Sequence, residues 1–257
     1  MSTRGLAARA VAGVSALLLL GALSGCAPGT DAAGLPATSA VPSSADPTLP
    51  LTASTPTPLP TPVPLHVDVL AYHEPTDHAH RNYCGAGATE VLLSAWIPGR
   101  PDVEAVARAI KLDPTSGATG ANTAAGINAL LQPALARDRY AGEHVTTLDG
   151  VLSRIRADLG SAADLRRYGH TAPVMVQTMT KTMPGWRGWQ ATHMITISSA
   201  HLDSGNPDID TVTYAETPSP IAGYNGPDFQ TITVRALWTA MQAFLSDDPG
   251  DPINVIW

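Results

Sequence analysis

The composition of the chain changes near residue 66, and that change decides how much of it can fold. Residues 27–65 are rich in Pro, Thr, Ser, Ala and Gly, with no aromatic side chain and no helical or strand period. Such a segment cannot bury enough apolar surface to offset the entropy of ordering it. The Thr-Pro and Leu-Pro repeats at 55–64 favour extended polyproline geometry, which suits a semi-stiff spacer. A fold must therefore come from residues 66–257, roughly 190 residues, enough for one core.

The segment before the spacer has a different purpose. Arg4 and Arg9 give a positive start, and residues 11–20 are an apolar run. That run is shorter than the ~20 residues a membrane helix needs, and it has the form of a removable export signal. Leu23-Ser24-Gly25-Cys26 closes it and resembles the bacterial lipobox. The resemblance implies that Cys26 is acylated and becomes the first mature residue, anchoring the chain to membrane lipid. A single acyl chain anchors poorly, so several are needed. Three segments follow: a lipoprotein signal peptide at 1–25, the lipidated Cys26 with its stalk at 26–65, and a domain at 66–257. The location expected is the extracytoplasmic face of the cell membrane. Loss of residues 1–25 takes the net charge from −7 to about −9. That balance disfavours nucleic acid, whose phosphates need Lys and Arg.

The chain has two cysteines. With Cys26 carrying lipid, Cys84 has no partner, which excludes a disulfide scaffold. A lone cysteine in an exported domain is either a reactive thiol or a small buried hydrophobe.

The apolar periods predict helices first and strands later. Residues 67–72 read as a strand. Residues 82–96 read as a helix with Val91, Leu92 and Ala95 on one face. Residues 102–112 form a second helix, Asn122 caps a third ending near Leu131, and Thr147 caps a fourth through Leu159. Strands are expected at 172–179, 193–199 and 210–216, a last helix at 234–245, and an edge strand at 253–257. Helices followed by an antiparallel sheet make the class α+β.

Three segments carry chemistry in a meaningful order. Asn82-Tyr83-Cys84-Gly85-Ala86-Gly87-Ala88-Thr89 opens a helix, His193 starts a strand, and Glu216 ends the next one. A thiol attacks well only as thiolate, and a helix start with a neighbouring imidazolium lowers its pKa from about 8.5 towards about 3.5–7.5. The helix end supplies only about 0.3–1 kcal/mol of this, so the histidine must supply the rest. A carboxylate on the adjacent strand would hold the imidazole in one tautomer. Small residues after the cysteine let a substrate carbonyl reach backbone N–H groups at the helix start.

The Tyr-Cys-Gly-Ala-Gly-Ala-Thr segment is similar to the nucleophile segment of papain-like peptidases of the C39 type. The His193 strand and the Tyr214-Ala215-Glu216-Thr217-Pro218 segment match that family's histidine and Asp-Pro positions in order. The resemblance covers about residues 68–220. It implies a papain-like fold, with N-terminal helices packed against an antiparallel sheet, and cleavage of peptide bonds. Cys84 would be the nucleophile, His193 the general base and acid, and Glu216 the orienting acid. The family usually carries Gln about six residues before the cysteine as an oxyanion donor, and here that position is His78. His78 is thus the expected, substituted oxyanion donor. Glu stands where Asp is usual, and Ala86 where Pro is common.

The alternative expectation is a catalytically inactive papain-like domain that binds peptide or cell-wall material at the cell surface. His73, Asp77, His78 and His80 lack the spacing of a structural zinc site and read as a polar loop, so neither metal nor cofactor is expected. Trp186 and Trp189, on a Gly-rich loop before His193, either line a substrate cleft or cap the core edge. Asp210 is the nearest competitor of Glu216 for the orienting role.

Overall fold

The computed structural model describes residues 63–217, 224 and 226–257. The signal segment, Cys26 and the stalk up to residue 62 lie outside the described residues, as does Pro218.

Among the described residues there are six α-helices and six strands: α1 (Cys84–Ser94), α2 (Val103–Ala109), α3 (Gly120–Leu135), β1 (Gly142–Glu143), α4 (Leu148–Leu159), α5 (Ala162–Tyr168), β2 (Val174–Met179), β3 (Thr192–His201), β4 (Thr211–Ala215), β5 (Phe229–Thr233), α6 (Val234–Asp247) and β6 (Val255–Ile256). The strands form one sheet in the order β1-β6-β2-β3-β4-β5, antiparallel at every pair. The α+β expectation is met.

Both faces of this sheet are covered, which explains why β2 is buried along its whole length. Side chains alternate between the faces with the pleat. Met175, Met194 and Ile256 point to a layer with Leu92, Leu93, Ile110 and Ile127 of the N-terminal helices. Val174, Val176, Ile195, Ile197 and Val255 point to the other layer, with Ile155 of α4 and Leu237 and Met241 of α6.

Helix α1 is the central rod of the first layer, and it is buried from Gly85 to Leu93. Val91, Leu92 and Leu93 expose no surface, and each contributes about 1.5–3 kcal/mol by leaving water. Gly85 and Gly87 each cost a helix about 1 kcal/mol relative to Ala. What they permit in return is close approach. A Cβ on Gly85 would lie 3.2 Å from Met194 Sδ, and one on Gly87 would lie 3.0 Å from Thr217 Cβ. Further along, Thr196 Oγ1 donates to the Ala88 carbonyl at 2.8 Å. The helix therefore lies against β3 with its first turn at the His193 end.

Several boundaries differ from the sequence reading. Residues 67–72 do not form a strand. β2 begins at Val174, opposite Ile197, so the far end of β3 is left open on that side. Residues 65–67 fill it through a bridge of His66 to Ser199 and a bond from Val67 N–H to the Ser198 carbonyl, and the chain then leaves the sheet. Helix α3 starts at Gly120 and is capped by Thr119, whose hydroxyl accepts from the Asn122 N–H; it runs through Pro133 to Leu135. β6 is an inner strand rather than an edge, because β1 adds outside it. α5, β1 and β5 are elements the sequence reading omitted.

Candidate active site

Cys84 is the first residue of α1. Its N-cap, Tyr83, makes no side-chain capping bond, so among the described residues no side chain closes off the backbone N–H groups at the helix start. The thiol is unpaired and partly exposed, and it lines a cleft of about 540 Å³. A buried apolar role for this cysteine does not fit that position.

His193 lies two residues into the cleft end of the sheet, opposite Thr178 on β2, and is buried with 3% exposure. Its Nε2–H donates to Glu216 Oε1 at 2.5 Å. Nδ1 is left as the ring nitrogen free to meet the Cys84 sulfur, which interacts with the same ring. Burial disfavours the imidazolium. The Glu216 carboxylate, with its hydrogen bond to the ring and the neighbouring Cys84 sulfur, outweighs that penalty and holds the ring well above its ordinary pKa. The three residues singled out from the sequence are thus brought together.

Glu216 is fully buried and accepts three hydrogen bonds: from His193, from the Thr217 backbone N–H at 3.1 Å, and from the Trp186 indole N–H at 3.1 Å. A buried carboxylate needs such partners to remain tolerable. Trp186 also packs edge-on against the His193 ring, with centroids 4.8 Å apart. It is 3% exposed, so it belongs to the wall behind the imidazole, whereas Trp189 is 51% exposed at the cleft rim. Asp210 takes no part: its Oδ1 accepts from the Ser204 backbone and hydroxyl, closing the turn before β4.

The two glycines of α1 now have a chemical meaning. Gly85 receives Met194, the residue after His193, and Gly87 receives Thr217, the residue after Glu216. The first turn of α1, which carries Cys84, is therefore wedged between the neighbours of His193 and Glu216. Asn82, just upstream, donates through Nδ2 to the Pro114 and Thr115 carbonyls, both at 2.8 Å, and so ties the opposite wall of the cleft to the Cys84 segment.

His78 is exposed on a short 3-10 turn, His78–His80, and lines the cleft. The other histidines of that loop are committed elsewhere. His80 bridges Asp77 at 2.7 Å and Glu104 at 2.8 Å, and His73 pairs with Asp228 at 2.9 Å. Among the described residues, no cluster of His, Cys, Asp and Glu has the arrangement of a metal site.

One buried group was missed by the sequence reading. Glu74 lines the cleft with only 4% exposure, and its Oε1 accepts from Thr217 Oγ1 at 2.9 Å. Burial pushes its carboxyl up to about 7, against the opposing pull of His193. It lies in a segment without helix or strand, and its hydrogen-bond partner is 143 positions away. No local pattern marks such a position.

No known protein family, curated protein or solved structure matches this chain.

Proposed function

We propose that the domain is a thiol hydrolase that cleaves a peptide or related amide bond. The observation that carries this reading is the buried His193–Glu216 pair beside a cleft-lining thiol at a helix start. The Cys84 sulfur attacks the substrate carbonyl carbon, and the carbonyl π pair moves to oxygen. His193 holds the thiol's proton and gives it to the leaving nitrogen as the C–N bond breaks. Water then hydrolyses the thioester, with His193 as base. Glu216 keeps the imidazole oriented and favours its charged form, and Trp186 keeps Glu216 oriented.

The papain-like fold of the C39 type remains the family we favour, on the order and identity of the Cys84, His193 and Glu216 segments. We place the domain outside the cell membrane, tethered through acylated Cys26 and the stalk at 26–65, where its substrate is an exposed peptide.

Alkylation by iodoacetamide at pH 6 tests the nucleophile in the intact protein, with Cys84→Ala as blank. Cys84 should react about 10–100-fold faster than a thiol in an unstructured peptide. A rate no faster than that peptide's removes the activated thiol. The exposed setting of His78 favours a second reading, a silent peptide-binding cleft. Saturable binding from a peptide library with no turnover, unchanged in Cys84→Ala, would select it.

A further inference from the structure

A tetrahedral oxyanion in this cleft needs donors, and most polar groups of the wall are already committed. The Gln177 amide donates to Asp251 Oδ2 at 2.7 Å and to the Ile253 carbonyl. The Gln190 amide donates to Asp247 Oδ2 at 3.0 Å. The Asn82 amide spends its donors on two carbonyls, and the Trp186 indole is spent on Glu216. Arg81 and His78 lie exposed at the rim.

Glu74 differs from all of these. It is buried, it lines the cleft, and among the described residues its only hydrogen-bond partner is the Thr217 hydroxyl, on Oε1. Thr217 in turn sits against Gly87, one helical turn beyond Cys84 on the same face. Glu74 is thus fixed relative to the nucleophile through a single intervening side chain. The triad has no use for it.

We infer that Glu74, as a neutral carboxylic acid, is a catalytic oxyanion donor of this site: its Oε2–H hydrogen-bonds the substrate oxygen while the Cys84–carbon bond forms. The inference rests on the thiol-hydrolase reading. The proton stays on Glu74 throughout; the oxyanion's electron pair returns to carbon when the leaving group departs. Burial favours the acid form, with a carboxyl pKa of about 7. The groups facing it are His193 from β3, Glu216 from the end of β4 and His80 from the 3-10 turn. Tyr72 is its neighbour on its own segment. Burial and Glu216 favour the acid, whereas His193, the Thr217 hydroxyl and His80 favour the ionised form.

Two rates measured side by side provide the test. Iodoacetamide alkylation reports the thiol alone, because no oxyanion forms. Acylation by p-nitrophenyl acetate passes through a tetrahedral oxyanion. Glu74→Ala should acylate about 10²-fold more slowly while alkylation stays near the wild-type rate. Glu74→Gln keeps a donor of the same reach and should retain wild-type acylation at pH 6. The wild type should lose acylation as pH rises through about 7. Glu74→Gln should not, since its amide does not titrate. Fast alkylation with acylation unchanged in Glu74→Ala overturns the inference and leaves the hydrolase reading intact. So does an Arg81→Ala variant that alone abolishes acylation. A Glu74→Gln variant that melts like the wild type but is as slow as Glu74→Ala also overturns it. If wild-type Cys84 alkylates no faster than a free thiol peptide, both proposals fall together.

Discussion

At the scale of single residues, His193 is the pivot, because its charge state couples the sulfur to Glu216. Replacing Glu216 by Gln keeps a hydrogen-bond acceptor for Nε2 but removes the negative charge that holds the ring's pKa up. Since that pKa is raised in the folded protein, removing its cause lets the imidazolium be lost at a lower pH. Glu216→Gln should therefore slow Cys84 alkylation at pH 6 by on the order of tenfold, and move the acid limb of its pH–rate profile to higher pH. A pH–rate profile of alkylation checks this; an unchanged profile would mean the carboxylate does not act through the ring. That Cys84, His193 and Glu216 stand together could be read from the sequence because a lone cysteine, a histidine and a carboxylate stand at element ends in the order of the family that they resemble. Trp186 was legible only as a large side chain near the cleft. Its indole N–H matters because Glu216 lies 30 residues away in sequence yet 3.1 Å away in the fold. Glu74 left no trace at all, since its hydrogen-bond partner Thr217 lies 143 residues away in sequence.

At the scale of elements, helix α1 trades intrinsic stability for position. Gly87→Ala would gain about 1 kcal/mol of helix propensity. The new Cβ, 3.0 Å from Thr217 Cβ and Cγ2, would press on a fully buried side chain, at a cost of about 1–3 kcal/mol. The two nearly offset, so thermal melting should move by only a few degrees. The displaced Thr217 carries both its hydroxyl bond to Glu74 and its N–H bond to Glu216. Acylation by p-nitrophenyl acetate should therefore fall by more than tenfold in a protein of nearly unchanged stability. Equal losses in both measurements would mean that the first turn is only a packing unit. The helices with strong periods were readable: Thr147 caps α4 as its sequence suggests, with its hydroxyl accepting from the Gly150 N–H at 3.1 Å. α5 buries only Asp164 and so shows no apolar period, and β5 has a single buried position. The inner place of β6 depends on a two-residue strand more than a hundred residues upstream, which no local pattern reports.

At the scale of the molecule, the core holds carboxyl groups that favour acid. Burial raises Glu90 to about 7, against the pull of Arg100, whose Nε lies 3.8 Å from its Oε2. Glu90 Oε1 is buried without a hydrogen-bond partner among the described residues. A carboxyl raised in the folded state contributes stability that is complete below about 4.5 and is lost as pH rises through about 7. Glu74 acts in the same direction. The melting temperature should therefore fall from pH 5 to pH 8, by on the order of 2 kcal/mol of unfolding free energy per group. Glu90→Gln should flatten part of that slope, with Glu74 and Asp158, whose carboxyl burial raises to about 6, carrying the rest. A melting temperature that rises over this range would show the interior carboxyls to be ionised. The class of the fold could be read from periodicity, whereas these interior charges could not, because burial is a property of the finished core. The sheet carries one more consequence. β6 stitches β1 to β2, and the residues just before it hold the cleft: Asp251 accepts from Gln177 and from the Gly120 N–H, and the Ile253 carbonyl accepts from Gln177. During synthesis these stitches emerge more than 160 residues after Cys84. The sulfur thus waits in an unfinished seat, and its wall is clamped only when the last strand arrives, so the fold itself times the ripening of the site.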